Sequence, residues 1–258
     1  MLDPGAGKTK LAYVWAYARA SRLGFDAQAG VVYDLCLGRG AKYPMAALQG
    51  WTGTLVRDEF AGYDSLLKLP GRTAAGCLAH ARRKFDELIK VNQSPVAQQA
   101  LQRIARICRI EREARELNAP ARLAMRQANA APLWAELNVW LQLERTRVPD
   151  GSAIAKAIDD SLNHWAALTA SLRDGRVPID NNHIENLMRP WAMGRKAWLF
   201  AGSEMAGQRA AIVMSLVQSA KLNEHDPWAY LKDVLKRLPT HMNSRIEKLL
   251  SHRWQPLG

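Results

Sequence analysis

The chain has 258 residues, 48% of them hydrophobic, which is enough to bury a sizeable core and excludes a wholly disordered chain. A net charge of +12 and an isoelectric point near 9.9 favour a polyanionic partner, and no apolar run is long enough to span a bilayer, so nucleic acid stands ahead of membrane. Cys36, Cys77 and Cys108 are unclustered and odd in number, which fits a reducing compartment and argues against a disulfide scaffold.

The first third reads as strands and turns. Residues 11–18, with Tyr13, Val14, Trp15 and Tyr17, predict a strand, and Val31-Val32-Tyr33-Asp34-Leu35 a second. Gly24, Gly30, Gly38 and Gly40 punctuate them. Residues 41–51 predict a short helix interrupted early by Pro44. Residues 53–58 predict a strand ending on Asp58, residues 64–69 a brief helix, and residues 73–77 a fourth strand.

From about residue 78 to 172 the pattern turns helical. Ser94-Pro95 is a cap followed by a first-turn proline. Behind it Ala97, Leu101, Ile104 and Cys108 recur at helical spacing. Leu133, Leu137, Trp140 and Leu141 form another stripe. Ile154, Ile158, Leu162, Trp165, Leu168 and Leu172 form a third, with Gly175 as its stop. Pro120, Pro132 and Pro149 are expected between helices. In the last third, residues 177–182 read as a loop and cap. A helix through Glu185 is expected to stop near Pro190. Residues 206–222 predict a helix with Ala210, Val213, Val217 and Ala220 inward, and Asp226-Pro227 opens one with Leu231, Val234 and Leu238. Strands, a long helical block and terminal helices predict an α/β protein, its mixed-sheet core interrupted by a helical insertion. The expected division is 1–77 for the first part of the core, 78–175 for the insertion and 176–258 for the helices completing the core.

Several motifs invite chemistry. Gly5-Ala6-Gly7-Lys8-Thr9 suggests a phosphate loop, but that pattern needs glycine at position 2, where Leu2 stands, so a polar turn is preferred. Cys77-x-x-His80 is half a zinc site without a second pair. Arg82-Arg83-Lys84 on the same helix read equally as a phosphate-contacting face or a solvated one. The segment Asp180-Asn181-Asn182-His183-Ile184-Glu185-Asn186-Leu187-Met188-Arg189-Pro190 joins dense polar groups to a packing face of Ile184, Leu187 and Met188. A carboxylate such as Glu185 near Arg189, Arg195 and Lys196 suits a metal and phosphate site, though a capped helix with an ordinary first-turn acid explains it as well. Asp58 closes an apolar strand, where α/β folds place ligands; a turn aspartate is the plainer reading.

Taken together, these segments resemble the insertion-sequence 66 family of transposases, in a form shortened at its N-terminus. The resemblance rests on Leu2-Asp3-Pro4-Gly5 with Gly7-Lys8-Thr9-Lys10, on residues 57–64, 76–85 and 179–185, on Arg189-Pro190, on Gly194-Arg195-Lys196-Ala197-Trp198-Leu199-Phe200-Ala201-Gly202-Ser203, and on Asp226-Pro227-Trp228-Ala229-Tyr230-Leu231, all in the family's order. It implies a ribonuclease-H-like fold with an Asp-Asp-Glu triad holding two Mg²⁺ or Mn²⁺ ions. Asp58 matches the second aspartate and Glu185 the glutamate, as catalytic and metal-binding residues. Arg82, Arg83, Lys84, Arg189, Arg195 and Lys196 are then candidates for DNA contact, and His183 for a place near the site. The family's first aspartate falls on a strand before the segment matching Leu2-Asp3-Pro4-Gly5; neither Asp3 nor Asp34 corresponds to it. The chain alone is therefore expected to be inactive or weak in strand transfer, with part of its first strand missing. The resemblance also implies transposon-end and target DNA as partners, a homo-oligomer, no membrane association and a bacterial cytoplasmic, nucleoid-associated location.

Two readings remain open at this point. One is an enzyme, a transposase core that cleaves and joins DNA; the other is a non-catalytic DNA-binding relative. A nucleotide-binding protein built on Gly7-Lys8-Thr9 ranks last.

Overall fold

The computed structural model describes residues 9–19, 29–198 and 200–256. It is a mixed α/β protein. In chain order its elements are β1 (Tyr13–Arg19), β2 (Gly30–Cys36), α1 (Lys42–Ala47), β3 (Gly53–Val56), α2 (Asp64–Leu67), β4 (Arg72–Ala75), α3 (Leu78–Asn92), α4 (Pro95–Glu113), α5 (Ala119–Met125), α6 (Ala131–Arg145), α7 (Ala153–Asn163), α8 (Trp165–Leu168), α9 (Asn182–Trp198), α10 (Glu204–Leu222) and α11 (Pro227–Arg237). They fall into two units, one of residues 1–43 with 183–258, the other of residues 44–182.

In the first unit β1 and β2 pair antiparallel, from Tyr13 opposite Cys36 to Arg19 opposite Gly30. The period-two pattern works as a half-buried strand should: Val31, Tyr33 and Leu35 are buried while Val32 and Asp34 are exposed. A strand with one free edge must satisfy its outward backbone groups, and α10 does this with two serines one turn apart. Ser219 Oγ accepts from the Val31 N–H at 3.0 Å and donates to the Val31 carbonyl at 3.1 Å; Ser215 Oγ accepts from the Tyr33 N–H at 2.9 Å. Gly207 lets α10 approach, since a Cβ there would meet Leu35 at 2.8 Å. Of the expected positions on α10, Ala220 is buried and Val217 half-buried, and the other two are corrected. Ala210 and Val213 are exposed, and the buried positions are Gly207, Ala211, Gln218 and Ala220. The face turned to β2 is made of small and polar residues, Gly207, Ala211, Ser215 and Ser219, while Ile212 and Val213 are exposed, so no apolar stripe marks it.

α9 does not end at Pro190 as expected but runs to Trp198 with the proline inside. Proline removes one helical hydrogen bond. Here the flanking turns are held by packing, with Leu187 buried and Ile184, Met188 and Trp191 against Val31, Tyr33 and Leu35. α11 opens on the expected cap, Asp226 Oδ1 accepting from the Ala229 N–H at 2.7 Å. Its Tyr230 and Val234 pack with Leu249 and Trp254.

In the second unit β3 and β4 run parallel, Gly53 opposite Arg72 and Val56 opposite Ala75, joined through α2. The helices then form a broad apolar core in which all three predicted stripes meet, with Ala97, Ile104, Leu137, Leu141, Ile158 and Leu168 buried. Ser94 caps α4 as expected, its Oγ accepting from the Ala97 N–H at 3.3 Å. Pro132 does not separate two helices. A π turn over Arg126–Ala130 links α5 to α6, and such a wide turn absorbs the hydrogen bond that proline cannot give. Pro44 likewise sits inside α1, in its first turn, where no donor is needed. The third stripe is not one helix but breaks into α7, α8 and a 3-10 turn over Ala170–Leu172; Gly175 beyond it is fixed by close packing, since a Cβ there would lie 1.9 Å from the Ala119 carbonyl oxygen.

Three arginines of this unit point inward and satisfy backbone carbonyls. Arg72 donates to the carbonyls of Trp51, Leu66 and Leu48. Arg122 reaches Ala114, Arg115, Leu117 and Gly175. Arg126 reaches Ser171, Asp174 and Val177, and clasps Glu111 with two hydrogen bonds of 2.8 and 2.7 Å.

Candidate functional site

Asp58 stands just past the C-terminal end of β3. The Arg57 N–H donates to the Ala75 carbonyl at 3.0 Å, extending the parallel pairing by one residue before the chain turns. Asp58 Oδ1 accepts from the Phe60 N–H at 3.3 Å, while Arg57 donates to the Phe60 carbonyl at 2.7 Å and pairs with Asp64 at 2.9 Å. The strand end is thus braced from both sides. A shallow hollow opens there, lined by Arg57, Asp58, Glu59, Ala75, Gly76, His164 and Ala167. Burial first, and the nearby Asp58 charge second, push the Tyr63 phenol up to about 12.

Beside Asp58 lies a cluster that sequence reasoning missed. Glu59, Asp160 and His164 bring one ligand atom each within 4.8 Å of the others. His164 Nδ1 lies 2.9 Å from the Asp160 carbonyl oxygen and 3.7 Å from both Glu59 Oε1 and Asp160 Oδ1. The Lys84 ammonium bridges the two carboxylates, pairing with Glu59 and Asp160. Lys84 is therefore engaged in this network, although it was expected on a phosphate-contacting face with Arg82 and Arg83, which are exposed. Burial opposes its charge, but the two carboxylates outweigh burial, and its pKa is raised. A carboxylate pair with a histidine has the donor types a divalent cation uses. In this arrangement the lysine supplies the positive charge from within. The one local signal was Asp160 and His164 at i,i+4, on one helix face; Glu59 reaches them only through the fold.

Cys77 is no zinc ligand here. Its thiol donates to Asn181 Oδ1 at 3.0 Å and its sulfur accepts from the Asn181 N–H at 3.4 Å, and burial pushes its pKa up. Neither Cys77 nor His80 belongs to a metal-capable group among the described residues. Gly5, Gly7 and Lys8 of the suspected phosphate loop lie outside the described residues.

Glu185 belongs to the other unit. It is exposed in the first turn of α9, where the helix dipole favours an anion. Asp180 Oδ1 accepts from the Asn182 N–H at 3.1 Å, turning the chain into that helix. The expected packing face holds: Leu187 is buried, with Ile184 and Met188 against the same cluster. Arg189 is exposed, and Arg195 and Lys196 are exposed in the last turn, where cations suit the dipole.

Two family descriptions match the chain: Transposase IS66 family over residues 1–209 and IS66 C-terminal element over residues 215–252. The chain belongs to the IS66 family of transposases. Among curated proteins this IS66-family chain is similar to the uncharacterized proteins y4hP, y4jD and y4qI of Sinorhizobium fredii. Identities are 34% over 94% of the chain, 35% over 98% and 36% over 99%, covering 47%, 52% and 49% of those proteins. The chain thus spans about half the length of the curated relatives it matches. No solved structure is significantly similar to it. Among the described residues no helix is long and apolar enough to cross a membrane.

Proposed function

We propose that the chain forms part of the catalytic core of a DNA transposase that cleaves and joins phosphodiesters with Mg²⁺ or Mn²⁺, with Asp58 and Glu185 as metal ligands. The family match along nearly the whole chain carries this reading. Asp58 at the C-terminal end of a parallel strand supports it, because that is where open α/β sheets present ligands. The pairing of Asp58 with Glu185 rests on the resemblance, as does a ribonuclease-H-like core carrying residues 78–175 as an insertion.

Oxygen donors of this kind fit hard divalent cations. Bound, such ions supply Lewis-acid activation of the attacking oxygen and charge stabilisation at the leaving oxygen. The chain's own groups bind and orient the DNA: Arg82, Arg83, Arg189, Arg195 and Lys196 neutralise backbone phosphates, which makes affinity fall steeply with salt. The ion-pair network of Glu59, Lys84, Asp160 and His164 holds the strand end that carries Asp58. In the reaction a water or 3′-hydroxyl oxygen forms a P–O bond in line as the scissile P–O bond breaks. The attacking proton is lost to solvent or a base, and the leaving 3′-oxygen takes one up. Action as a homo-oligomer on transposon ends and target DNA, on the bacterial nucleoid, follows from the same reading.

The test is Mn²⁺ calorimetry on the chain beside Asp58→Asn and Glu185→Gln. Binding weakened about tenfold or more by each substitution is expected, the loss of one anionic ligand. Binding untouched by both, yet abolished by Asp160→Asn with His164→Ala, would move the metal to the neighbouring cluster and overturn the assignment.

A further inference from the structure

The C-terminal end of α9 carries an aromatic surface that the metal chemistry does not use. Trp198 is 55% exposed and Phe200 48% exposed. Trp198 is held rather than loose. Its ring meets Trp191 edge-on at 6.2 Å and 87°, and Trp191 meets Tyr33 at 5.8 Å. Tyr33 is 3% exposed and its hydroxyl donates to the Leu187 carbonyl at 2.6 Å. An aromatic series therefore runs from the core of this unit to solvent and ends in an open indole. Gly194 makes room for it, since a Cβ there would lie 2.7 Å from the Trp198 ring. The flanking sequence is cationic. Arg189, Arg195, Lys196 and Arg209 are exposed, and Glu204 is the sole acid between Arg189 and Arg209.

A fixed π-face among cations recognises a flat ring attached to an anion. Bases within a duplex keep their faces stacked on each other, so the ring offered must come from an unpaired nucleotide. A second copy of this chain, itself at +12, is disfavoured as the occupant by charge. We propose that Trp198, with Phe200 two residues on and Arg195 and Lys196 in the preceding turn, stacks an unpaired base of single-stranded DNA. The proposal rests on the transposase reading and adds the state of the DNA it holds. Trp198 lies 13 residues from Glu185 on the same helix, roughly 20 Å along its axis, a span of a few nucleotides.

The experiment titrates the full chain into fluorescein-labelled oligo-dT and a blunt duplex, followed by anisotropy, and into a strand carrying 2-aminopurine, whose emission is quenched by stacking. Trp198→Ala is expected to weaken single-strand binding about tenfold, the effect of one lost stacked base, to abolish the quenching, and to leave duplex binding within about twofold; Trp198→Phe should restore most of both signals. Wild-type chain that binds duplex but not single strands would overturn this proposal alone. So would equal weakening of both DNAs by Trp198→Ala, or a change in sedimentation mass with DNA binding intact, which would make the surface a self-association face. Wild-type chain that binds neither DNA would overturn the transposase reading itself.

Discussion

Arginine is used in two opposite ways, and residues 44–182 show both, since Arg82 and Arg83 there are exposed. In residues 44–182, Arg72, Arg122 and Arg126 turn inward, and between them they satisfy ten backbone carbonyls and one carboxylate. On α9 and α10 of the other unit, Arg189, Arg195 and Arg209 face solvent. A net charge of +12 therefore overstates the surface available to DNA, because a buried guanidinium is a five-donor staple for loop ends rather than a phosphate contact. The same residue type stabilises the fold in one place and is proposed to bind a ligand in the other, and substitution separates the two roles.

Arg126→Met gives the largest expected effect. Arg126 is 1% exposed, and its loss leaves the half-buried Glu111 without its partner and the carbonyls of Ser171, Asp174 and Val177 without their donor. A cost of about 3–5 kcal/mol is expected in urea unfolding. Pairing it with Glu111→Leu should recover the part due to the stranded carboxylate and not the part due to the carbonyls. Full recovery would show that the carbonyl contacts contribute nothing. The matched surface change, Arg195→Gln, should leave stability within about 0.5 kcal/mol while lowering DNA affinity and flattening its salt dependence.

The units also differ in how they close their strands, and this sets the next effect. β3 pairs with β4 and β1 with β2, but β2 also takes hydroxyls from α10 along its other edge. Ser219→Ala removes the partner of both the Val31 N–H and its carbonyl, and should cost about 2 kcal/mol; Ser215→Ala, which removes the partner of the Tyr33 N–H alone, should cost about 1 kcal/mol. Hydrogen exchange at Val31 and Tyr33, faster in the respective variants, reads the contacts directly.

These contrasts also mark what the sequence could disclose. The stripes of α4, α6 and α7 and the caps Ser94 and Asp226 were legible because they are local, decided by spacing and by one side chain near its own backbone. α9 beyond Pro190 was not, because a proline signal was outweighed by packing of Leu187 and Trp191 against residues far away in the chain. α10 gave no stripe because the face it turns to β2 is small and polar, with Gly207, Ala211, Ser215 and Ser219, while Ile212 and Val213 are exposed. At the site, Asp58 at a strand end was legible from an apolar run closing on a carboxylate. Glu59, Lys84, Asp160 and His164 were not, because three separate elements supply them and only the fold brings them together.

A further effect concerns Lys84, which lies between the two behaviours: neither a buried staple nor a free surface cation. Its side chain is 36% exposed, so much of its attraction to Glu59 and Asp160 is screened. Lys84→Met should cost about 1–2 kcal/mol near neutral pH, chiefly by leaving two carboxylates facing each other. The pH dependence identifies the cause. The folded-state pKa of Lys84 is raised above its ordinary 10.5. Its contribution is therefore whole below that value and is lost as pH rises through the folded pKa. Tyr33 and Tyr63, both pushed up to about 12 by burial, also lower stability in this range, and they do so equally in wild type and variant. The difference between the two unfolding curves isolates the lysine: it should be constant from about pH 7 to 9 and shrink above about pH 10.5. A difference that persists unchanged at the highest pH would assign the loss to the packing of the lysine stem and not to its charge.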